Sequence, residues 1–249
     1  MAKAETALVK ADDFTALSCA DDMQEILETN LGVLADTDET LALPRVKFPT
    51  SGNNTFVVPT PDGEESEKTI RGIVLHHTPS RAYWPGEFAG AEPPVCSSVD
   101  GKVGRPGEDA DFFDEKLDYM DCRDCPKAQW GSGGNGGQDC KALWRIWMLR
   151  EGEMLPIQIT LPPTSRNAWK IYMSQLITRG NPYFKVVTEV SLETTKNKKG
   201  IDYSKATFKK VGDLDEDAVA GVRKYRELIK PMVSQVPVEP TDYEGEVDL

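Results

Sequence analysis

The sequence predicts a β-rich α+β fold with an embedded zinc-binding loop region and flanking helices, and three observations carry that reading. Short apolar or alternating runs recur from position 45 to position 211. Two longer stretches, 163–180 and 213–233, have helical periodicity instead. Between positions 78 and 140 lies a Pro/Gly-rich stretch of little periodicity that holds four cysteines. At 249 residues, with 39% hydrophobic and 28% charged side chains, the chain can bury a sizeable core.

In chain order, residues 1–40 form an acidic N-terminal segment that reads as peripheral. It has a weak helical pattern over Ala11–Leu34, within which Cys19 reads as a buried or bystander thiol. Arg45–Phe48 and Thr55–Val58 are short strand candidates, with Ser51-Gly-Asn-Asn54 as turn chemistry between them. Pro61–Lys68 reads as a polar loop, and Thr69–His77 as a buried strand. Lys141–Arg150 is a strand with Trp144, Ile146 and Met148 on one face and Lys141, Arg145 and Trp147 on the other. Leu155–Leu161 alternates. Pro162-Pro-Thr-Ser165 opens a helix with an N-cap hydroxyl, and Gly180 ends it. Tyr183–Thr194 and Tyr203–Val211 are strands joined by a basic loop, Lys196-Asn-Lys-Lys-Gly200. Asp213–Val233 is a final helix with Pro231 near its end, and Val236–Leu249 reads as a disordered acidic tail.

This order is compatible with an OB-like Greek-key barrel, a five-stranded barrel with a helix between its third and fourth strands. The barrel domain would span 41–235, with the zinc insert at 78–140 and the tail at 236–249.

Cys122-Arg-Asp-Cys125 supplies two sulfurs from one turn. Cys96 and Cys140 complete a set of four, which fits one structural zinc ion. The alternatives are disulfides or free thiols, and one of the adjacent histidines, His76 or His77, could stand in for a cysteine. Four sulfurs leave no open coordination position, so the site does not read as catalytic. Trp130-Gly-Ser-Gly-Gly-Asn-Gly-Gly137 lacks the Gly-Lys-Ser/Thr ending of a phosphate-binding P-loop and reads as an excursion of the zinc loop. With two histidines, side by side, and no carboxylate cluster, nothing calls for an enzyme.

The net charge of −12 is unevenly spread. Residues 1–40 carry a local charge of −8, residues 141–211 carry +8, and residues 213–249 carry −6. Single-stranded nucleic acid is held by cationic grooves with aromatic stacking platforms. Lys141, Arg145, Trp147, Tyr183, Lys185, Lys196, Lys198, Lys199, Tyr203, Lys205 and Lys209 are the candidates for such a groove. The tail, with Asp242, Tyr243, Glu244, Glu246, Asp248 and Leu249, is a candidate for partner recruitment and for occupying the groove when no strand is bound. No apolar run approaches the roughly 20 residues of a membrane helix. Nor does the N-terminus have a signal-peptide pattern, so a cytoplasmic protein is expected.

The basic domain, embedded cysteine loop and acidic tail together resemble phage-type single-stranded DNA-binding proteins, such as the zinc-containing helix-destabilising proteins of T-even phages. The resemblance spans roughly 70–249. It departs in two places: those proteins use a histidine ligand and have a basic N-terminal cooperativity segment, whereas four cysteines suffice here and residues 1–40 are acidic. The stretches Pro94-Val-Cys-Ser-Ser-Val-Asp-Gly and Cys122-Arg-Asp-Cys-Pro-Lys-Ala-Gln-Trp-Gly-Ser-Gly are also similar to uncharacterised proteins of phages and mobile elements. What the resemblance implies is sequence-tolerant binding of single-stranded DNA, or of RNA, in replication or recombination inside a bacterial host. Replication or recombination proteins would then meet the tail. The rival reading is a zinc-stabilised protein-interaction or transcription-accessory module.

Overall fold

In the computed structural model the described residues are 7–18, 25, 29, 43–49, 52–85, 92–106, 119–134, 136–196 and 200–242. Twelve strands and three α-helices are described. The strands are β1 (Ala7–Val9), β2 (Arg45–Val46), β3 (Phe56–Thr60), β4 (Gly63–Glu67), β5 (Thr69–Tyr83), β6 (Cys96–Ser98), β7 (Val103–Pro106), β8 (Met120–Asp121), β9 (Lys141–Leu149), β10 (Ile157–Leu161), β11 (Val186–Lys196) and β12 (Asp202–Leu214). The helices are α1 (Thr15–Ser18), α2 (Pro163–Thr178) and α3 (Glu216–Gln235). Ten strands join one mixed sheet, and β3–β4 form a separate hairpin. The fold is therefore β-rich α+β, as the pattern predicts.

The axis of the sheet is β5. One side of it pairs with β9 from Ile73 to Ala82. The other side pairs first with β11, over Thr69–Ile73, and then with β6, over Arg81–Tyr83. Gly72 allows the tight approach of β9, since an added β-carbon there would lie 2.3 Å from the Leu149 carbonyl oxygen.

Two hydrophobic clusters lie on opposite faces of this sheet. Ile73, Leu75, Trp147 and Leu149 face α3 through Val222, Tyr225, Ile229 and Val233. Ile70, Val74, Ile146 and Met148 face α2 and β3 through Trp169, Tyr172, Leu176, Phe56 and Val58. Burying a large apolar side chain is worth about 1.5–3 kcal/mol, so both faces contribute strongly. The described strands form no closed barrel, which corrects the OB-like expectation. Helices cover both faces of the central strands, where a small barrel would turn one face into its own interior.

Several local expectations also change. Pro61–Lys68 is not a loop: Pro61 and Asp62 make the turn of the β3–β4 hairpin, whose second strand, Gly-Glu-Glu-Ser-Glu, lacks any apolar residue to signal it. Residues 7–17 are not peripheral, because β1 adds a parallel strand beside β12 and Phe14 and Leu17 enter the α3-side core. Cys19 lies outside the described residues. The N-cap of α2 is Pro162, with no side-chain cap; the Ser165 hydroxyl instead accepts from the Ala206 backbone N–H at 2.9 Å and ties the helix to β12. The Asp215 carboxylate caps α3 by accepting from Ala218 N–H at 2.8 Å. No helix among the described residues is long and apolar enough to cross a membrane.

The predicted disordered tail is packed as far as Asp242. Val236 and Val238 are buried, and Arg145 donates to the Val236 and Pro237 carbonyls at 2.8 and 3.2 Å. The Asp242 carboxylate accepts from Arg45 at 2.7 Å, Gln158 at 2.6 Å and Thr160 at 2.9 Å. Removing one partner of a buried pair strands the others, so Asp242→Ala should lower unfolding free energy by about 3 kcal/mol. Urea denaturation of the full chain measures this; a loss under about 1 kcal/mol would mean the segment is only loosely held.

Candidate metal centre and the predicted binding residues

The far end of β5 carries the cysteine lobe. Cys96 opens β6, paired with Tyr83. Cys122 and Cys125 sit on the turn after β8, where the Cys122 and Cys125 backbone N–H groups donate to the Lys102 and Asp121 carbonyls at 2.7 and 3.1 Å. Cys140 immediately precedes β9, and its N–H donates to the Lys127 carbonyl at 2.8 Å. All four are buried free thiols lining one pocket with Arg81, Tyr83, Ser98, Gly104, Met120 and Lys127. Gly104 makes room for them: a β-carbon there would meet Cys96 Sγ at 3.1 Å and Cys122 Sγ at 3.5 Å. The predicted irregular insert is thus partly regular, since β5 runs on to Tyr83 and β6, β7 and β8 follow.

Burial pushes the Cys96 thiol up to about 12, and the neighbouring Cys140, Cys122 and Cys125 add to the shift. Burial likewise raises Cys140 to about 11 against the opposing charge and hydrogen bond of Arg81. Cys122 is also raised by burial, against a hydrogen bond from Ser98. Without a metal these thiols stay protonated at neutral pH and are poor nucleophiles.

As a donor set, four buried sulfurs beside an arginine suit a structural thiolate–metal centre, which would be net negative. As the side chains stand, however, no group of three or more His, Cys, Asp or Glu among the described residues is drawn closely enough together to hold an ion. The sulfurs surround the pocket without converging. The lining carries the stronger argument about location, because the thiols bear on one another electrostatically. Sequence reasoning missed Arg81 and Gly104. Arg81 had a faint signal, a cation two residues before the strand end that faces Cys96, whereas Gly104 had none.

The histidines belong elsewhere; neither lines the cysteine pocket. His77 Nδ1 accepts from the Trp144 indole N–H at 3.1 Å, and its ring packs against Trp169 and Tyr183. His76 stacks on Trp147, ring centroids 5.4 Å apart. Burial, then the nearby charges of Lys230, Arg226 and Arg145, lowers His76 to about 4. Burial, then His76 and Arg226, lowers His77 to about 4.

The predicted groove residues separate into three groups. Trp147 and Arg145 are fully buried, and they face each other inside the protein, with the guanidinium 5.1 Å from the indole centre. This corrects their assignment as strand-face contacts: the face was expected to be open, but α3 and residues 236–238 cover it. Trp144, on the opposite face, is half-buried and packs against the α2-side core. Tyr183 and Lys185 lie in a 3-10 turn (Tyr183–Lys185), not on a strand, and the Tyr183 hydroxyl accepts from Arg226 at 2.8 Å beside His77. Lys141 is half-buried at the start of β9.

Tyr203, Lys205 and Lys209 do share one face of β12, as period 2 predicts, and Lys196 stands at the end of β11 beside Asp202. Lys198, Lys199, Tyr243, Glu244, Glu246, Asp248 and Leu249 lie outside the described residues. No family model, no curated protein and no solved structure matches the chain.

Both histidines predict an acid-sensitive fold. Their folded-state values lie below the ordinary 6.5, so between pH 6.5 and about 4 the unfolded chain binds protons that the folded chain does not. Their contribution is complete above about pH 6.5 and is lost as pH falls through that window. Urea midpoints at pH 7.5, 6.0 and 5.0 should fall, and the fall should be shallower in a His76→Gln/His77→Gln variant. Identical slopes would contradict the burial argument.

Proposed function

We propose that the protein is a non-catalytic, zinc-stabilised binder of single-stranded nucleic acid, with its contact surface on the outer face of the β11–β12 hairpin and the start of β5. One observation carries this reading. α3 covers its side of the sheet as far as Ile73 and Val187, and beyond them that face is polar and belongs to no hydrophobic cluster. Arg71, Tyr203, Lys205 and Lys209 stand on it in register with Glu189, Glu193 and Thr195, and Lys196 lies at its tip.

The cations there pair with carboxylates, Arg71 with Glu189 at 2.6 Å and Lys205 with Glu193 at 3.4 Å. The Lys205–Glu193 pair, open to water on both sides, contributes only about 0–1 kcal/mol, so a phosphate can compete for that lysine at little cost. This surface is smaller than the sequence suggested, because Arg145 and Trp147 have gone into the core. Zinc at Cys96, Cys122, Cys125 and Cys140 would fix the lobe; folding free energy is then coupled to metal binding.

Two measurements test the reading. Elemental analysis of the purified full chain should give one zinc per molecule, lost in Cys125→Ser together with a lower Tm; a metal-free wild type or a zinc-replete variant would remove the metal. In oligo-dT titrations at several salt concentrations, Lys205→Glu/Lys209→Glu should weaken binding tenfold or more and flatten the slope of log K against log salt by about 1.4. An unchanged affinity and slope would remove the hairpin face.

A further inference from the structure

We infer that Trp130 and the bare glycine backbone beside it form a second contact, a stacking shelf for an unpaired nucleobase on the cysteine lobe. The inference rests on the nucleic-acid reading above.

Trp130 is the most exposed large hydrophobic side chain among the described residues, at 80%. Its position is nevertheless fixed on both sides. Before it, the Gln129 side-chain amide donates to the Arg123 and Cys125 carbonyls at 2.6 and 3.2 Å, binding the turn to the two-cysteine knuckle. After it, Gly131 N–H and Gly133 N–H both donate to the Gly137 carbonyl, at 2.8 and 3.1 Å. The Ser132 hydroxyl donates to the Lys127 and Gln129 carbonyls and accepts from Asp139 N–H. An exposed indole held on a backbone ordered in advance loses little conformational freedom on binding, which is what makes an anchor effective.

The neighbouring glycines say what kind of ligand fits. Gly131 has φ +88°, a conformation that favours glycine, so the turn itself explains it. Gly137 is different: it is not among the left-handed glycines, and a β-carbon there would meet nothing within 4 Å. The fold would accept a side chain at 137, and glycine instead leaves bare backbone across from Gly131. Bare backbone at Gly131 and Gly137 beside one exposed indole gives a protein side chain little to interlock with. It does offer a flat face to a flat ring, and stacking of a base on such a ring is largely indifferent to sequence. The Arg123 side chain, 82% exposed on the same knuckle, supplies a cation for the adjoining phosphate, its pairing with Asp121 at 3.1 Å being an exposed one. This shelf lies at the Tyr83 end of β5 and Arg71 at the other, so the two contacts can be mutated separately.

The test is an oligo-dT titration of the zinc-loaded full chain, read by tryptophan fluorescence and by Kd. Trp130→Ala should raise Kd about tenfold and abolish most of the quench, with Trp130→Phe retaining most of the affinity. Gly137→Val should weaken binding severalfold at unchanged Tm and zinc content. Wild-type affinity in Trp130→Ala overturns the inference while leaving the hairpin surface standing, and that is also the result if the indole serves a protein partner. A loss of zinc or of Tm in Trp130→Ala overturns it as well, by making the residue structural, and so does full affinity in Gly137→Val. If the wild type binds no oligonucleotide, both this contact and the proposed function fall.

Discussion

The double-sided burial of β5 and β9 is the constraint on which the rest of the structure depends. Along these strands successive side chains enter opposite cores, Ile73 and Leu75 toward α3 and Ile70 and Val74 toward α2. Because β5 is 15 residues long, it extends past its β9 pairing at both ends. At its start it gives β11 a partner and so supports the long hairpin. At its finish it gives β6 a partner and so positions Cys96. The two surfaces proposed to bind are thus placed by the two ends of one strand whose middle is buried core.

That same burial explains the position of residues 236–242. A sheet covered on both sides still carries polar side chains along its strands, and Arg45, Arg145, Gln158 and Thr160 are such groups. Carbonyls of Val236 and Pro237 and the carboxylate of Asp242 satisfy them. The acidic character that suggests a solvated tail serves, at Asp242, as an internal counter-charge. In the cysteine lobe the balance differs, since Arg81 meets thiols instead of carboxylates; the proposed metal would turn those thiols into the anionic partner that Arg81 lacks there.

Much of the local structure was legible. The strand pairs 186–196 and 202–214 and both long helices follow the periodicity within a few residues. Tyr203, Lys205 and Lys209 lie on one face because strand periodicity alone requires it. The four cysteines line one pocket, although their sulfurs do not converge there. Illegible were β4, which has no apolar residue, and the N-terminal strand, whose Ala-Leu-Val is too short to read. The closed barrel was inferred from element order, and element order does not say which strand becomes central.

Residue types and spacing by themselves determined which side chains share a face and where the helices run. Only the tertiary structure decided which of those faces water reaches. Arg145 and Trp147 show the difference: the alternation that puts them together is a property of one strand, while their burial depends on α3 and on residues 236–238, about 90 positions away. Solvent exposure belongs to the packed assembly, because covering a sheet face requires surfaces whose partnership no local pattern encodes.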